Sequence, residues 1–237
     1  MIADHAWMRR MMEADMSGDR WVTFDCFGTL IDWHEGWRAA LRPLAGERVD
    51  ALLRAYHDAE PALEADRPHR PYRDVLTMGL VGAARSIGLP LAPQDADVLV
   101  RAWGEQPLYG DVPAGLGALR AAGWKIGVLT NCDDALFALT VARHPVLVPD
   151  CLVTAEQVGS YKPALGNFER FERRTGVARA NWVHAAVSWF HDIVPARTLG
   201  LGRIWVDRDR SGHDPAAASV VIHDVAGLPA AVAALKG

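Results

Sequence analysis

The chain is poor in cysteine, in lysine and in long apolar runs, and each shortage narrows what it can be. Three cysteines in 237 residues (Cys26, Cys132 and Cys151) are too few and too scattered for a disulfide framework or a zinc site. They read as small packing residues near strand ends, and their scarcity fits a reducing cytoplasm. No apolar run approaches the roughly 20 residues that span a bilayer, so no membrane role is expected. A net charge of −4 leaves no basic footprint for nucleic acid. Residues 1–19 are rich in Met, Arg and Asp, lack the apolar core of a signal peptide, and read as an extension ahead of the first strand. Only three of the 25 Lys-plus-Arg residues are lysine (Lys125, Lys162 and Lys236), so each lysine raises a question of purpose.

What is present is an ordinary globular mixture, half hydrophobic and 23% charged, in a chain long enough for one sizeable core. Apolar segments alternate in a βα rhythm. Strands are expected at Trp21–Asp25, Lys125–Thr130, Cys151–Thr154, Trp182–Val187, Arg203–Val206 and Ser219–Ile222. Helical stretches lie between them, such as Pro113–Ala122 and Pro163–Thr175, each followed by glycine at or near its end. This alternation predicts a parallel sheet covered on both faces. Roughly ninety residues separate Leu30 from Lys125, far more than one crossover helix needs. They read as amphipathic helices over Glu35–Ala45, Val49–Glu64, Tyr72–Ile87 and Pro93–Trp103.

The segment Trp21-Val-Thr-Phe-Asp25-Cys-Phe27-Gly28-Thr29-Leu30 places a carboxylate where a strand ends and the backbone turns on a glycine. Val128-Leu129-Thr130-Asn131 ends the next strand with a hydroxyl and an amide. Ser160-Tyr161-Lys162-Pro163 sets a lysine in a loop before a helix, and Val187-Ser188-Trp189-Phe190-His191-Asp192 brings an acid to a later helix start. Asp-x-x-Gly-Thr-Leu and the three segments after it resemble, in order, the four motifs of the haloacid dehalogenase (HAD-like) superfamily, and together they cover essentially the whole core.

The resemblance implies a doubly wound α/β fold, a Rossmann-like core, with an inserted helical C1 cap. The division it suggests is core 20–32 and 109–237, cap 33–108. It implies Asp25 as nucleophile, Thr29 hydrogen-bonded to it, Lys162 keeping it ionised, and Asp192 with Ser188 positioning the hydrolytic water. Thr130 and Asn131 are candidates for a substrate carboxylate and a departing halide, with Phe27, Trp189 and His191 as further substrate contacts. Trp33 and Trp37 could line a small dry pocket, and His184 reads as packed core.

Two features separate the chain from the superfamily's phosphatases. Those enzymes carry a second Asp two residues after the nucleophile as proton donor, where this chain has Phe27. Their Mg²⁺-holding Gly-Asp of the fourth motif corresponds to Ala186-Val187, and valine cannot ligate a hard cation. Halide displacement needs neither a proton donor nor a metal ion, so no metal and no cofactor are expected. The 2-haloacid dehalogenase branch, which has an aromatic residue at the Phe27 position, is the nearer likeness, and it implies a short carboxylic acid as substrate and leaves room for a homodimer. That branch's usual Asn and Tyr are replaced by Trp189 and Phe168, and its cap arginine would fall near Tyr56, with Arg54 close by. Rival readings are ring opening of azetidine-2-carboxylate, a Mg²⁺-dependent phosphatase, and a non-catalytic binding protein.

Overall fold

The computed structural model describes residues 18–65 and 67–236. The N-terminal extension expected over residues 1–19 therefore lies almost wholly outside the described residues. Six parallel strands form one sheet: β1 Arg20–Phe24, β2 Trp124–Thr130, β3 Cys151–Thr154, β4 Trp182–Ala186, β5 Gly202–Val206 and β6 Val220–Ile222. Their spatial order is β3-β2-β1-β4-β5-β6, the doubly wound arrangement. β1 is central, with Val22 facing Ile126 of β2 and Val183 of β4. Being covered on both faces, β1, β2 and β4 are almost continuously buried, as parallel strands must be.

Helices α1 (Trp33–Ala45), α2 (Val49–Glu64), α3 (Tyr72–Ser86) and α4 (Val98–Arg101) make up the insertion after β1. The remaining helices are α5 (Val112–Ala121), α6 (Asp134–Arg143), α7 (Ala155–Val158), α8 (Gly166–Thr175), α9 (Val194–Thr198) and α10 (Leu228–Lys236). Phe168 and Phe171 of α8 cover one sheet face with Trp21, Leu129 and Trp182. On the opposite face, Leu116 and Leu119 of α5 and Leu228 and Val232 of α10 join Val22, Phe24 and Val128. That second cluster runs on into the insertion through Trp37, Leu41, Tyr56 and Leu76.

Asp32 caps α1 by accepting the Glu35 backbone N–H at 3.1 Å. Ile31 bridges Leu108, the Asp32 N–H donates to the Pro107 carbonyl (2.9 Å), and the Tyr109 N–H donates to Leu30 (3.1 Å). The insertion thus enters and leaves through two paired segments. α2 and α3 pack closely because Gly79 leaves room for the Tyr56 ring; a Cβ there would lie 2.7 Å from it.

The segment Pro93–Trp103 is not one helix. It breaks into a 3₁₀ turn at Pro93–Asp95, the short α4, and a second 3₁₀ turn at Trp103–Glu105. Within it only Leu99 and Trp103 are buried, too narrow an apolar stripe to sustain a continuous helix. α8 begins at Gly166 rather than Pro163, since the Ala164 N–H closes a turn onto the Tyr161 carbonyl. Among the described residues no helix is long and apolar enough to cross a membrane.

Candidate active site

Asp25 stands at the C-terminal edge of the central strand, where Gly28 adopts φ +93° and lets the chain fold back. Leu30 and Ile31 both donate backbone N–H bonds to the Cys26 carbonyl, closing the turn (2.8 and 3.0 Å). The turn brings Thr29 under the carboxylate: its hydroxyl donates to Asp25 Oδ2 at 3.0 Å and accepts the Val187 N–H at 3.0 Å. Asp25 is therefore tied to the β4 edge through one hydroxyl.

Lys162 arrives from the loop before α8 and is 1% exposed. Its ammonium has three donors and three acceptors: Asp25 Oδ1 (3.0 Å), Asp192 Oδ1 (2.6 Å) and the Leu129 carbonyl (2.9 Å). Its backbone is clamped by Asn131, whose Nδ2 donates to the Lys162 carbonyl (3.0 Å) and whose Oδ1 accepts the Lys162 N–H (2.7 Å). Burial alone would lower the ammonium's pKa, but Asp192 and Asp25 outweigh it and hold the lysine charged above its ordinary value.

The two carboxylates are not equivalent. Burial pushes Asp25 above the usual carboxylate range, with Lys162 opposing and the Asp192 charge adding to the rise. Burial also acts on Asp192, yet Lys162 and His184 together hold it below its ordinary value. Asp192 is the more firmly ionised of the pair. Asp25 shares the lysine at the longer distance, which leaves its oxygens less quenched and so more nucleophilic.

His184 is a residue whose part the sequence reading missed. It is fully buried, as expected of core, but Nε2 lies 3.0 Å from Asp192 Oδ1 and Nδ1 lies 2.8 Å from Thr23 Oγ1. Trp182 Nε1 donates to the same hydroxyl at 2.7 Å. An ionised carboxylate can only accept, which assigns the proton to Nε2 and makes Nδ1 the acceptor of the Thr23 hydroxyl. A directed chain therefore runs Trp182, Thr23, His184, Asp192. The other Asp192 oxygen, Oδ2, is buried without a protein partner, although the residue lines the cavity. A buried imidazole on an otherwise apolar strand was the available signal.

Above these groups lies a cavity of about 320 Å³. Of the sequence-derived site residues, Asp25, Phe27, Thr130, Asn131, Lys162, Ser188, His191 and Asp192 line it, and Thr29 sits directly beneath Asp25. Asn131 is present, but as the clamp on Lys162. Ser188 caps the π-helical turn Trp189–Ile193, accepting the His191 N–H at 3.1 Å. Trp189 is a correction: it is absent from the described lining and packs instead against Trp205 and His213, with ring centroids 5.0 and 5.4 Å away. Trp189 is the first residue of that turn and its ring lies against Trp205, so nearness in sequence to Asp192 does not bring it to the cavity. Phe168 is likewise turned into the opposite core, against Trp182 and His184.

The wall facing the sheet comes from the insertion: Trp33, His34 and Trp37 of α1, His57, Glu60 and Glu64 of α2, Tyr72 of α3, and Trp103. Phe27 packs on Trp103 at 4.4 Å. No arginine appears in the described lining, and Arg54, near the position considered for a cap arginine, is not part of it. Among the described residues no group of three His, Cys, Asp or Glu side chains is arranged to hold a metal ion. Cys26 and Cys132 are buried beside the motifs, and burial pushes both thiols up, away from thiolate chemistry.

A family model described as haloacid dehalogenase-like hydrolase matches residues 20–184, most of the chain and the first three of the four motif segments. The chain belongs to that family of hydrolases. A curated relative, the (S)-2-haloacid dehalogenase of Pseudomonas sp. (strain YL), is 25% identical over 194 residues, covering 79% of this chain and 82% of its own. A solved L-2-haloacid dehalogenase superposes with a TM-score of 0.82 at 23% identity, covering 92% of this chain and all of the other. The L-2-haloacid dehalogenase of Xanthobacter autotrophicus, solved with chloropropionic acid covalently bound, gives 0.79 at 18% identity, covering 91% and 98%. The structural likenesses establish the HAD core and inserted helices as this chain's fold.

Proposed function

We propose that the protein hydrolyses a small molecule at a saturated carbon through an ester on Asp25, with halide displacement from C2 of a short 2-haloacid as the leading reaction. An Asp25 oxygen forms a bond to carbon as the carbon–halogen bond breaks and halide departs with the electron pair. Water then loses a proton to Asp192 and attacks the ester carbonyl, releasing the hydroxylated product and regenerating the carboxylate. The free Oδ2 of Asp192 is the acceptor available for that proton. Holding nucleophile and carbon in line could supply on the order of 7–11 kcal/mol of the barrier. Residues 33–108 would act as the lid that excludes water, and the core would comprise 20–32 and 109–237.

The observation that carries this reading is the company Asp25 keeps. It is held by Lys162 and Thr29, while Phe27 and Val187 fill the places where phosphoryl transfer would need a proton donor and a metal-binding acid. A retired scaffold has no need of a charged lysine buried between two carboxylates, because such an arrangement is weak for stability. A second reading keeps the same nucleophile but opens a strained ring, as in azetidine-2-carboxylate. There the C–N bond breaks and the protonated ring nitrogen leaves as an amine. The acidic side chains and the lack of an arginine in the described lining support this second reading.

A single turnover in ¹⁸O-water tests the ester. The label should enter the Asp25 carboxylate, and the first product should carry unlabelled oxygen from the enzyme. Label appearing at once in product, with Asp25 unlabelled, would mean direct attack by water.

A further inference from the structure

We infer that the wall of the cavity contributed by α1 to α3 is a subsite for a protonated organic amine, so that the substrate carries an ammonium group near its leaving group. This rests on the reading of Asp25 as the attacking carboxylate. Five carboxyl groups line the cavity (Asp25, Glu60, Glu64, Asp192 and Asp209) against a single lysine, and even with Glu64 protonated the acids outnumber it. All three donors of Lys162 are engaged by Asp25, Asp192 and the Leu129 carbonyl, so it has none to offer a ligand. Burial lowers the pKa of both His34 and His191, so at neutral pH neither adds positive charge. A bare anion entering this cavity meets a field of its own sign.

The acids on α2 are built in rather than solvated. Glu60 Oε1 accepts hydrogen bonds from Tyr56 (3.0 Å) and Tyr72 (2.6 Å), two hydroxyls that fix the carboxylate in one orientation. Its Oε2 lies 3.6 Å from His57 Nδ1. Glu64 stands one turn further on, its side chain 10% exposed, and lies 3.9 Å from His191 across the cavity. Burial and the neighbouring Glu60 charge push it up to about 8 despite Lys162 and a hydrogen bond with Asn131. Glu64 therefore holds its proton beside the Glu60 charge at neutral pH, and a ligand cation between the two would draw that proton off and pair with both.

The aromatic faces on the same side make the choice between a metal and an organic cation. Trp33 and Trp37 stand with ring centroids 4.8 Å apart, and Tyr72 meets Trp103 at 5.8 Å. Rings of this kind attract an ammonium by their negative faces and offer nothing to a hard metal ion. Carboxylate acceptors set among indole and phenol rings match a primary or cyclic amine that presents both N–H donors and apolar CH₂ surface. A cyclic ammonium and an amine-bearing haloacid both satisfy it.

The test uses the full chain as Asp25→Asn, which blocks ester formation, titrated calorimetrically with n-propylammonium chloride and with sodium propionate at equal ionic strength. Propylammonium should bind and propionate should bind at least tenfold more weakly, a difference on the scale of one charged hydrogen bond. Glu60→Gln or Glu64→Gln in the same background should weaken propylammonium about tenfold and leave propionate unchanged or improved. Both substitutions keep an acceptor oxygen and the side-chain shape, and near-UV circular dichroism checks the aromatic wall. Propionate binding as tightly as propylammonium, or both Gln variants binding propylammonium like the parent, would overturn the inference. Label in wild-type Asp25 from 2-chloropropionate, without propylammonium binding, would overturn it and leave the covalent chemistry standing. Propylammonium binding with no Asp25 label from 2-chloropropionate or azetidine-2-carboxylate would support the subsite and remove the covalent reading.

Discussion

Lys162→Met removes one charge from the most constrained point of the molecule while nearly preserving side-chain length. The ammonium it deletes is 1% exposed and is the only cation within hydrogen-bond reach of both Asp25 and Asp192 among the described residues. Breaking a buried ion pair from one side costs about 3–5 kcal/mol when the remaining charge stays ionised. The protein can avoid most of that cost by taking up a proton. Asp192 keeps the His184 bond, so Asp25, already displaced upward, is the carboxylate that takes it. If the 3–5 kcal/mol is expressed as a pKa rise, it corresponds to about 2–4 units, and the ionised fraction of Asp25 on the acid side of its titration falls roughly 10²-fold or more. Ester formation measured on the acid limb should fall by a similar factor, and that limb should move upward so that raising the pH recovers rate. Quenched single turnovers with mass measurement of the Asp25 peptide would read both quantities. A variant that forms ester within about threefold of the wild-type rate, with an unmoved acid limb, would refute the electrostatic role argued for Lys162.

Asp192→Ala should leave ester formation the faster step and let the Asp25 ester accumulate; accumulation in the Lys162 variant and none in the Asp192 variant would reverse the two roles. Activity should persist in EDTA, and phosphate release should not appear with Mg²⁺, because Phe27 and Val187 supply neither proton nor ligand; Mg²⁺-dependent phosphate release lost in Asp25→Asn would contradict this. Glu64 has a folded-state pKa near 8 against an ordinary 4.5, so its relative contribution to stability is fullest below about pH 4.5 and is lost as pH rises through about 8. Glu64→Gln should therefore flatten the decline of denaturant stability between pH 5 and 9 by an amount on the order of a few kcal/mol, and parallel wild-type and variant profiles would show that Glu64 does not titrate there.

Strand positions were legible because buried parallel strands are written as unbroken apolar runs, and Trp124–Thr130 and Trp182–Ala186 fall within a residue of where the sequence put them. The carboxylates, Lys162 and Thr29 were legible for a related reason: each lies next to the end of such a run, so local order along the chain translates directly into proximity at one sheet edge. Glu60, Glu64 and His57 were not. On α2 they look like any polar helix face, and only the fold-over of the insertion turns that face toward Asp25. Trp189 failed in the opposite sense, since a neighbour of Asp192 in sequence turned toward Trp205 once the π-helical turn set its direction. His184 was legible as buried but not as a hydrogen-bonding partner, which depends on Thr23 from β1 and Asp192 from beyond β4 meeting at one ring.

The bridge between Ile31 and Leu108 means that the two ends of the inserted helices lie no further apart than neighbouring strands, about 4.5–5.5 Å. A gap of that width is one that a hairpin loop of two to five residues closes. The sheet, its six strands and the Asp25–Lys162–Asp192 cluster can therefore stay unaltered in path whatever lies between those ends. Descent with modification then has two separate surfaces to act on. Changes along α1, α2 and α3 can redraw which molecules are admitted, while the sheet edge that makes and breaks bonds keeps its geometry.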